Sequence, residues 1–526
     1  MAEIVADREV EAIAGYSIVR LLTLLLVVTT GARLLFAASL GLGVDEAYTV
    51  ATARHLALST YDHPPLAWWL SGTAARLFGS ESALVVRLPF IALFAASTWF
   101  AFASGRYLFN ATAGFYAALV LNLAPVIGWT TGSFVLPDGP LIAAMLAALY
   151  ALSHAFFGER SQSHLWWLAA GLCTGLACLA KLHGVFLLLG TGLFVLTSAR
   201  HRHWLTSPWP YAAALVAAIV FSPVMIWNIQ HDWVSFTFQA ARARSTGLDL
   251  VGPFMALGGQ ALFLLPWLWV PLMMSLGRAI HSGPADDKSW LLFCLAIGPI
   301  AAFTLIALNG TRVLYHWAAP GYVFAALLLG RDIASVFAGR AGSPTVTANW
   351  LKATIASVAF VLIAVIAIAR SPWPANPVFG LRPPPFPLIE TLAWTDAKAA
   401  LADRGLLGGK NRFVAAVRWH EAGRLDWVLG GAVPVLCLCA DPRGYGIVNG
   451  NRAQIGQDGL IIGPNLELRE VRVLLEPYFD TIETLEPITI RQARQPMVTL
   501  QVFRGTRLHE TGIKPDLIEP FAQSRK

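Results

Sequence analysis

Residues 16–46 read YSIVRLLTLLLVVTTGARLLFAASLGLGVDE. Up to Leu40 the only charges are Arg20 and Arg33. A membrane-spanning helix needs about 20 mostly apolar residues, so this run predicts a first span. It is followed at once by an acidic pair, Asp45-Glu46. Apolar runs of this kind recur along the chain, centred near residues 83–104, 112–133, 137–157, 165–180, 183–199, 209–228, 254–277, 289–308, 314–330 and 350–370. The pattern predicts a polytopic α-helical membrane protein of about 11–13 transmembrane helices.

Composition agrees. Of 526 residues, 56% are hydrophobic and 13% charged, with a mean hydropathy of +0.59. The charged share is about half that of soluble domains, which excludes a disordered, fibrous or ordinary soluble chain. The net charge of +7 is accounted for by basic residues at helix ends and implies no nucleic-acid partner. Charge is unevenly spread: residues 1–370 hold 20 Lys/Arg and 15 Asp/Glu, and 371–526 hold the remaining 18 and 16.

The chain therefore divides into a membrane domain, 1–370, and a soluble domain, 388–526. The stretch SPWPANPVFGLRPPPFP (371–387) reads as a Pro-rich linker between them. Residues 388–405 read as helical, and 412–418, 426–439, 445–448, 460–462, 471–475 and 497–504 as short strands, predicting a small α/β domain. Cys173, Cys178 and Cys294 lie in apolar runs, whereas Cys437 and Cys439 form a C-x-C in the soluble part.

Lys/Arg in the short loops favour a cytoplasmic N-terminus. Arg106, Arg160, Arg200, Arg202, Arg278, Lys288, Arg331 and Arg340 then face the cytoplasm, and eleven spans place the C-terminal domain outside. The outer loops are 41–82, 134–139, 181–183, 229–252 and 309–315. Loop 41–82 is the longest. Its Trp68, Trp69 and helically spaced apolar residues predict amphipathic helices in the interface, with Pro64-Pro65 at a first turn.

Seven acids of the membrane domain fall on this outer side: Asp45, Glu46, Asp62, Glu81, Asp138, Asp232 and Asp249. Carboxylates at a membrane edge are costly and mark functional sites, although Asp45 also suits an N-cap. Arg33, Lys181, His183, Arg242, Arg244, Arg312 and His316 form a basic set near the same edge. Arg and Lys there can hold a lipid phosphate or simply snorkel. No partner at ligand spacing accompanies His63 or His183, so no metal is predicted, although the carboxylates are compatible with a divalent ion. No phosphate-binding loop or dinucleotide fingerprint stands in a strand–turn–helix context, and no cofactor is predicted.

The stretch DEAYTVATARHLALSTYDHPPLAWWLSGTAARLFGSESALVVRLP (45–89) resembles the first outer loop of bacterial polyprenyl-phosphate-sugar glycosyltransferases. These are the GT-C group of protein-mannosyltransferase-like enzymes that includes the lipid A aminoarabinose transferases. The matching elements are Asp45-Glu46, Tyr48, His63-Pro64-Pro65-Leu66, Leu77-Phe78-Gly79 and Arg87-Leu88-Pro89. Pro137-Asp138, then Gly171, Gly175 and Lys181, and the stretches WNIQHDWVSFTFQ (227–239) and YHWAAPGY (315–322) continue it. The resemblance covers roughly residues 15–330. It departs after the acidic pair, where Ala47-Tyr48 stand in place of a basic residue common in aminoarabinose-type members.

The resemblance implies an inverting transfer of sugar from a polyprenyl-phosphate donor to a lipid, glycan or protein acceptor, on the periplasmic face of a bacterial inner membrane. It implies Asp45, with Glu46 and Asp138, as the catalytic acids. Tyr48, His63, Lys181, His183, Arg242, Arg244, Arg312 and His316 are the accompanying substrate-binding candidates. The chemistry agrees: a carboxylate can accept the proton of an attacking hydroxyl, and cations can stabilise the departing phosphate. A transporter or lipid flippase is the alternative. It would place acids near the bilayer middle rather than at one face. A non-catalytic lipid-binding protein is a third reading, in which Asp45 and Asp138 would tolerate substitution.

Overall fold

The computed structural model describes residues 12–370, 394–407, 412–439, 441–448 and 451–510, except 14, 246, 465, 493 and 494. The stretch expected as a linker, 371–387, lies outside the described residues.

All eleven apolar runs fall on helices, but they do not all cross alike. Eight helices are long and apolar enough to span: Ile18–Ser39, Ala83–Leu108, Asp138–Phe157, Ser163–Ala180, Trp209–Gln230, Asp287–Asn309, Tyr315–Phe337 and Pro344–Ala367. Two more runs are bent pairs, Ala111–Leu123 with Ile127–Ser133 (85°) and Gly252–Leu264 with Pro266–Ala285 (115°). Counting each pair as one span gives up to ten among the described residues. The remaining run, Leu182–Thr197, is a shorter apolar helix. The reasons are local. Pro266 cannot donate to the preceding turn, and Leu265 before it adopts φ 69°. At the first break, carbonyls released from the helix need partners. Arg33, buried in the first span, supplies them: its Nη2 donates to Gly128 O (2.7 Å) and Asn122 Oδ1 (2.9 Å). Arg33 thus pins a broken helix, apart from the outer-edge cations.

The loops assigned to one side by their charge meet one another. Lys181 Nζ reaches Asp138 (2.9 Å), Ser235 Oγ donates to Thr60 O (2.8 Å), and Asp249 N donates to Leu308 O (2.7 Å). The loops assigned to the other side meet among themselves. Arg278 and Arg331 both pair with Asp332, and Arg200 pairs with Asp287.

Beyond the membrane helices stands a five-stranded sheet. Its strands are β1 (Arg412–Ala416), β2 (Val435–Cys437), β3 (Asp458–Pro464), β4 (Phe479–Gln492) and β5 (Gln495–Leu508), in the order β2-β1-β3-β5-β4. The first three are parallel, and β5 runs antiparallel to β3 and β4. The helix expected over 388–405 is present as Thr395–Asp403, residues 388–393 lying outside the described residues, and the strands at 412–418, 460–462 and 497–504 are present. Three other stretches differ. The stretch 426–439 begins inside the helix Trp419–Leu429 and is strand only at Val435–Cys437, 445–448 is helical, and 471–475 belongs to the helix Leu468–Leu475. Its VRVLL reads as a strand, but Val471 and Leu475, four apart, are the buried positions, whereas Val473 and Leu474 are exposed. Strand β4 escapes sequence reading because Glu486-Pro487 interrupts it; the register shifts between Leu485 and Ile488, the kind of irregularity where a strand tolerates Pro.

The sheet is apolar on both faces. Phe413, Ala415, Ile461 and Phe503 face a core closed by Leu468–Leu475. Val414, Ala416, Leu460 and Ile462 face a second core that also contains Leu42, Ala47, Tyr48, Trp68 and Phe90. This second core is shared between the first outer loop and the C-terminal domain. The helix Trp419–Leu429 lies directly on the helix Val44–Thr52: a Cβ on Gly423 would stand 2.8 Å from Tyr48 Cα. Gly423→Val is therefore expected to cost about 1–3 kcal/mol through overpacking. Thermal unfolding of the detergent-solubilised protein would measure it, and an unchanged midpoint would contradict the close crossing.

Candidate active site

The site begins at the N-terminus of Val44–Thr52. Its first turn holds Asp45 and Glu46, and the two carboxylates have opposite circumstances. Glu46 is 2% exposed. It takes a bidentate contact from Arg87 (2.8 and 2.5 Å) and accepts from the amides of Gly43 and Val135 (2.8 Å each). Arg87, itself fully buried, also donates to the carbonyls of Ala37, Leu40 and Gly41. Glu46 thus ties the helix to the ends of two spans. The cap expected of Asp45 is made by Glu46 instead: the N-cap is Gly43, whose amide donates to the Glu46 carboxylate three residues on.

Asp45 is left open. Its side chain is solvent-accessible yet enclosed by protein walls, and that desolvation raises its carboxyl above the usual range. Arg443 opposes the rise more than Arg242 does, while Asp62 and Glu46 add to it.

Arg242, within electrostatic range of Asp45, lines a cavity of about 220 Å³. His63, Lys181, His183, Gln239, Arg242 and Thr311 bring polar groups to its wall, and Phe186, Phe303, Ile306 and Trp317 make the rest apolar. Lys181 ends the helix Ser163–Ala180, and Asp138 opens the helix Asp138–Phe157. The ammonium sits 2.9 Å from both carboxylate oxygens. Arg242 closes the helix Val234–Arg242. Its guanidinium lies over the rings of Trp317 (5.0 Å) and Phe238 (5.6 Å). His183 stacks on Phe303 (4.8 Å), and its buried Nε2 has no hydrogen-bond partner. Burial lowers His63 to about 4, so it presents a neutral imidazole at pH 7. His316 lies within electrostatic range of Lys181, Asp138 and Arg242.

Other candidates stand away from the cavity. Tyr48 is 2% exposed; its hydroxyl lies 3.3 Å from Asp62 Oδ1 and accepts from Gly444 N (2.9 Å). Arg244 and Arg312 are exposed beyond the cavity wall, where Thr311 Oγ1 donates to Arg244 O. Among the described residues, no three His, Cys, Asp or Glu are grouped to hold a metal. Cys437 and Cys439 are joined by a disulfide.

Sequence reasoning placed Asp62 among the outer-side acids without giving it a role, and passed over Gln239 and Arg443. Asp62 is 3% exposed, receives Arg443 Nη1 at 3.3 Å, and its carbonyl accepts from Gln239 Nε2 (2.6 Å). Asp62 could have been found from its place directly before His63-Pro64-Pro65. Arg443 carries no local signal.

Comparisons with known proteins bear on the fold. Residues 62–227 match the family model described as dolichyl-phosphate-mannose-protein mannosyltransferase. The crystal structure of ArnT from Cupriavidus metallidurans bound to undecaprenyl phosphate aligns with a TM-score of 0.62 at 15% identity. The alignment covers 91% of this chain and 97% of that one. The fold is that of the GT-C membrane glycosyltransferases. The GT-C likeness read from the outer-loop motifs is thereby borne out. An Archaeoglobus fulgidus oligosaccharyltransferase shares the GT-C architecture more distantly, with a TM-score of 0.50 over 92% of this chain and 75% of that one at 12% identity. A lipid A galacturonosyltransferase of Rhizobium johnstonii, RgtD, is 27% identical over 290 residues. The match covers 54% of this chain and 59% of that protein, so the chain spans about three fifths of this relative's length.

Proposed function

We propose that this chain is an integral-membrane inverting glycosyltransferase. It moves a sugar from a polyprenyl-phosphate donor to an acceptor on the outer, periplasmic face of a bacterial inner membrane. The observation that carries the reading is the cavity in which Lys181 and Arg242 stand over an apolar wall of Phe186, Phe303, Ile306 and Trp317, beside a free carboxylate at Asp45. A phosphate needs cations and a polyprenyl chain needs an apolar surface; both requirements meet here. A lipid acceptor is favoured by the relative whose name specifies lipid A. Polysaccharide and protein acceptors are the other outcomes of the assay below. The disulfide between Cys437 and Cys439 suits an oxidising compartment and supports a periplasmic C-terminal domain.

In the proposed step the acceptor hydroxyl attacks the anomeric carbon, and its proton passes to Asp45. The bond from that carbon to the phosphate oxygen breaks, and the polyprenyl phosphate leaves carrying the charge. Arg242 binds that charge; its ring contacts leave its N–H groups available. Lys181 adds a second cation oriented by Asp138. The donor is already activated by its phosphate, so the step uses no cofactor. Asp62, Glu46 and Arg87 hold the loop rather than meet the substrate.

The test is transfer of labelled sugar from polyprenyl-phosphate donors by membranes containing the wild-type chain. Label entering an acceptor supports the reading and identifies the product; its absence from every donor, with folded protein present, removes it. Arg242→Ala is expected to weaken binding of undecaprenyl phosphate about 10- to 100-fold, the range for a lost charge-assisted hydrogen bond. Unchanged binding in a titration would take Arg242 out of the phosphate site.

A further inference from the structure

We propose that Arg443, carried by the C-terminal domain, is a positioning residue of the site, holding Asp62 in place and supplying the positive charge that Asp45 faces. The inference rests on the reading of Asp45 as the base.

Arg443 reaches the membrane domain across 381 residues of sequence. Its guanidinium lies 3.7 Å above the Trp419 ring and 5.8 Å from the Phe238 ring. It pairs with Asp62 (3.3 Å) and Asp441 (3.6 Å), and its side chain is 14% exposed. Two separate loops of the membrane domain therefore meet on one side chain of the C-terminal domain. The backbone there is committed to this placement. Arg443 adopts φ 47°, a left-handed conformation that a non-glycine residue reaches only at a cost. The next amide, Gly444 N, donates to Tyr48 Oη, and a Cβ on Gly444 would stand 2.6 Å from that oxygen. The turn is thus fixed against the helix that carries Asp45.

Docking alone does not account for Arg443. The domain is already fastened by Arg54, which pairs with Glu81 and Asp426 (2.6 Å each), and by Trp427 Nε1 donating to Glu81 O. Burying one more cation on a strained turn adds cost to that interface. Its return is electrostatic. Asp62, Glu46, Arg242 and Arg443 lie within electrostatic range of Asp45. Glu46 is neutralised by Arg87. On the helices packed against Asp45's own, Glu421 is paired with Arg418, Asp426 with Arg54, Arg424 lies over Trp394, and His420 is held neutral by burial. Arg76 donates to the carbonyls of Ala53 and Arg54. Without Arg443, Asp45 and Asp62 share an enclosed space with Arg242 as their facing cation, and like charges drive one carboxylate to take up a proton.

The experiment follows the protonation of Asp45 directly. The full-length protein in lipid nanodiscs is labelled with a water-soluble carbodiimide from acid to neutral pH, and Asp45 modification is quantified by mass spectrometry. Arg443→Met is expected to move the labelling midpoint up by about one pH unit, and Arg443→Lys to return most of that shift. Asp62→Asn, which removes the like charge and keeps Arg443, is expected to move the midpoint down. An unmoved midpoint in folded Arg443→Met overturns the proposal. If that variant does not fold, an unmoved or raised midpoint in Asp62→Asn overturns it. The acid limb of the transfer rate should move with the midpoint. A moved midpoint in a protein without transferase activity leaves this inference standing and removes the proposed function instead.

Discussion

Asp45→Asn is expected to lower the rate of sugar transfer by about 10²- to 10⁴-fold, the range for removal of a general base. The change is nearly isosteric and falls on a side chain outside the helix cap, since Gly43 and Glu46 close that cap. Folding and donor binding should therefore survive while turnover is lost, a kcat effect with little change in KM. The pH profile carries the sign. A base works as the carboxylate, and enclosure raises the pKa of Asp45 above the ordinary aspartate value of about 3.9. Wild-type turnover should therefore fall as pH drops through that raised pKa, at higher pH than an exposed aspartate would give. Rate measurements across pH with wild type and Asp45→Asn would test both points. Comparable turnover by the two proteins would remove Asp45 as base.

Glu46→Ala should have the largest effect on stability, about 3–5 kcal/mol, because it leaves the Arg87 guanidinium buried without its carboxylate. Arg87 is fully buried, and its bidentate partner is 2% exposed. The Val135 and Gly43 amides lose their acceptor in the same substitution. The loss should appear as a large drop in the thermal midpoint of the purified protein. An exposed pair such as Arg200–Asp287, whose arginine is 76% exposed, should contribute no more than about 1 kcal/mol. Similar effects for Glu46→Ala and Asp287→Ala would show that the buried pair is not the anchor described.

Much of the fold was legible because membrane spans are written locally. About twenty apolar residues either cross or are buried, and all eleven runs found by that rule fall on helices. The breaks were less legible. Pro266 is visible in the sequence, but a bend of 115° also depends on what the neighbouring helices cover. Of the charged residues picked out at the membrane edge, the structure brings Asp138 and Lys181 together. The division of labour between adjacent Asp45 and Glu46 was not legible. Both can cap a helix, and only the approach of Arg87, 41 residues later, commits Glu46 to the structural role.

The sequence by itself determined which segments form the long apolar helices and which outer-loop motifs stand between them. Periodicity and charge near the span ends are short-range properties, and the hydrophobic effect acts on them without reference to the rest of the chain. The tertiary structure alone decided that Lys181 meets Asp138, that Tyr48 faces the C-terminal domain rather than the cavity, and that Arg443 returns to Asp62. Those pairings join residues 43 to 396 positions apart. Their geometry follows from helix crossings such as Gly423 on Tyr48, where the packing of whole elements sets which side chains can touch.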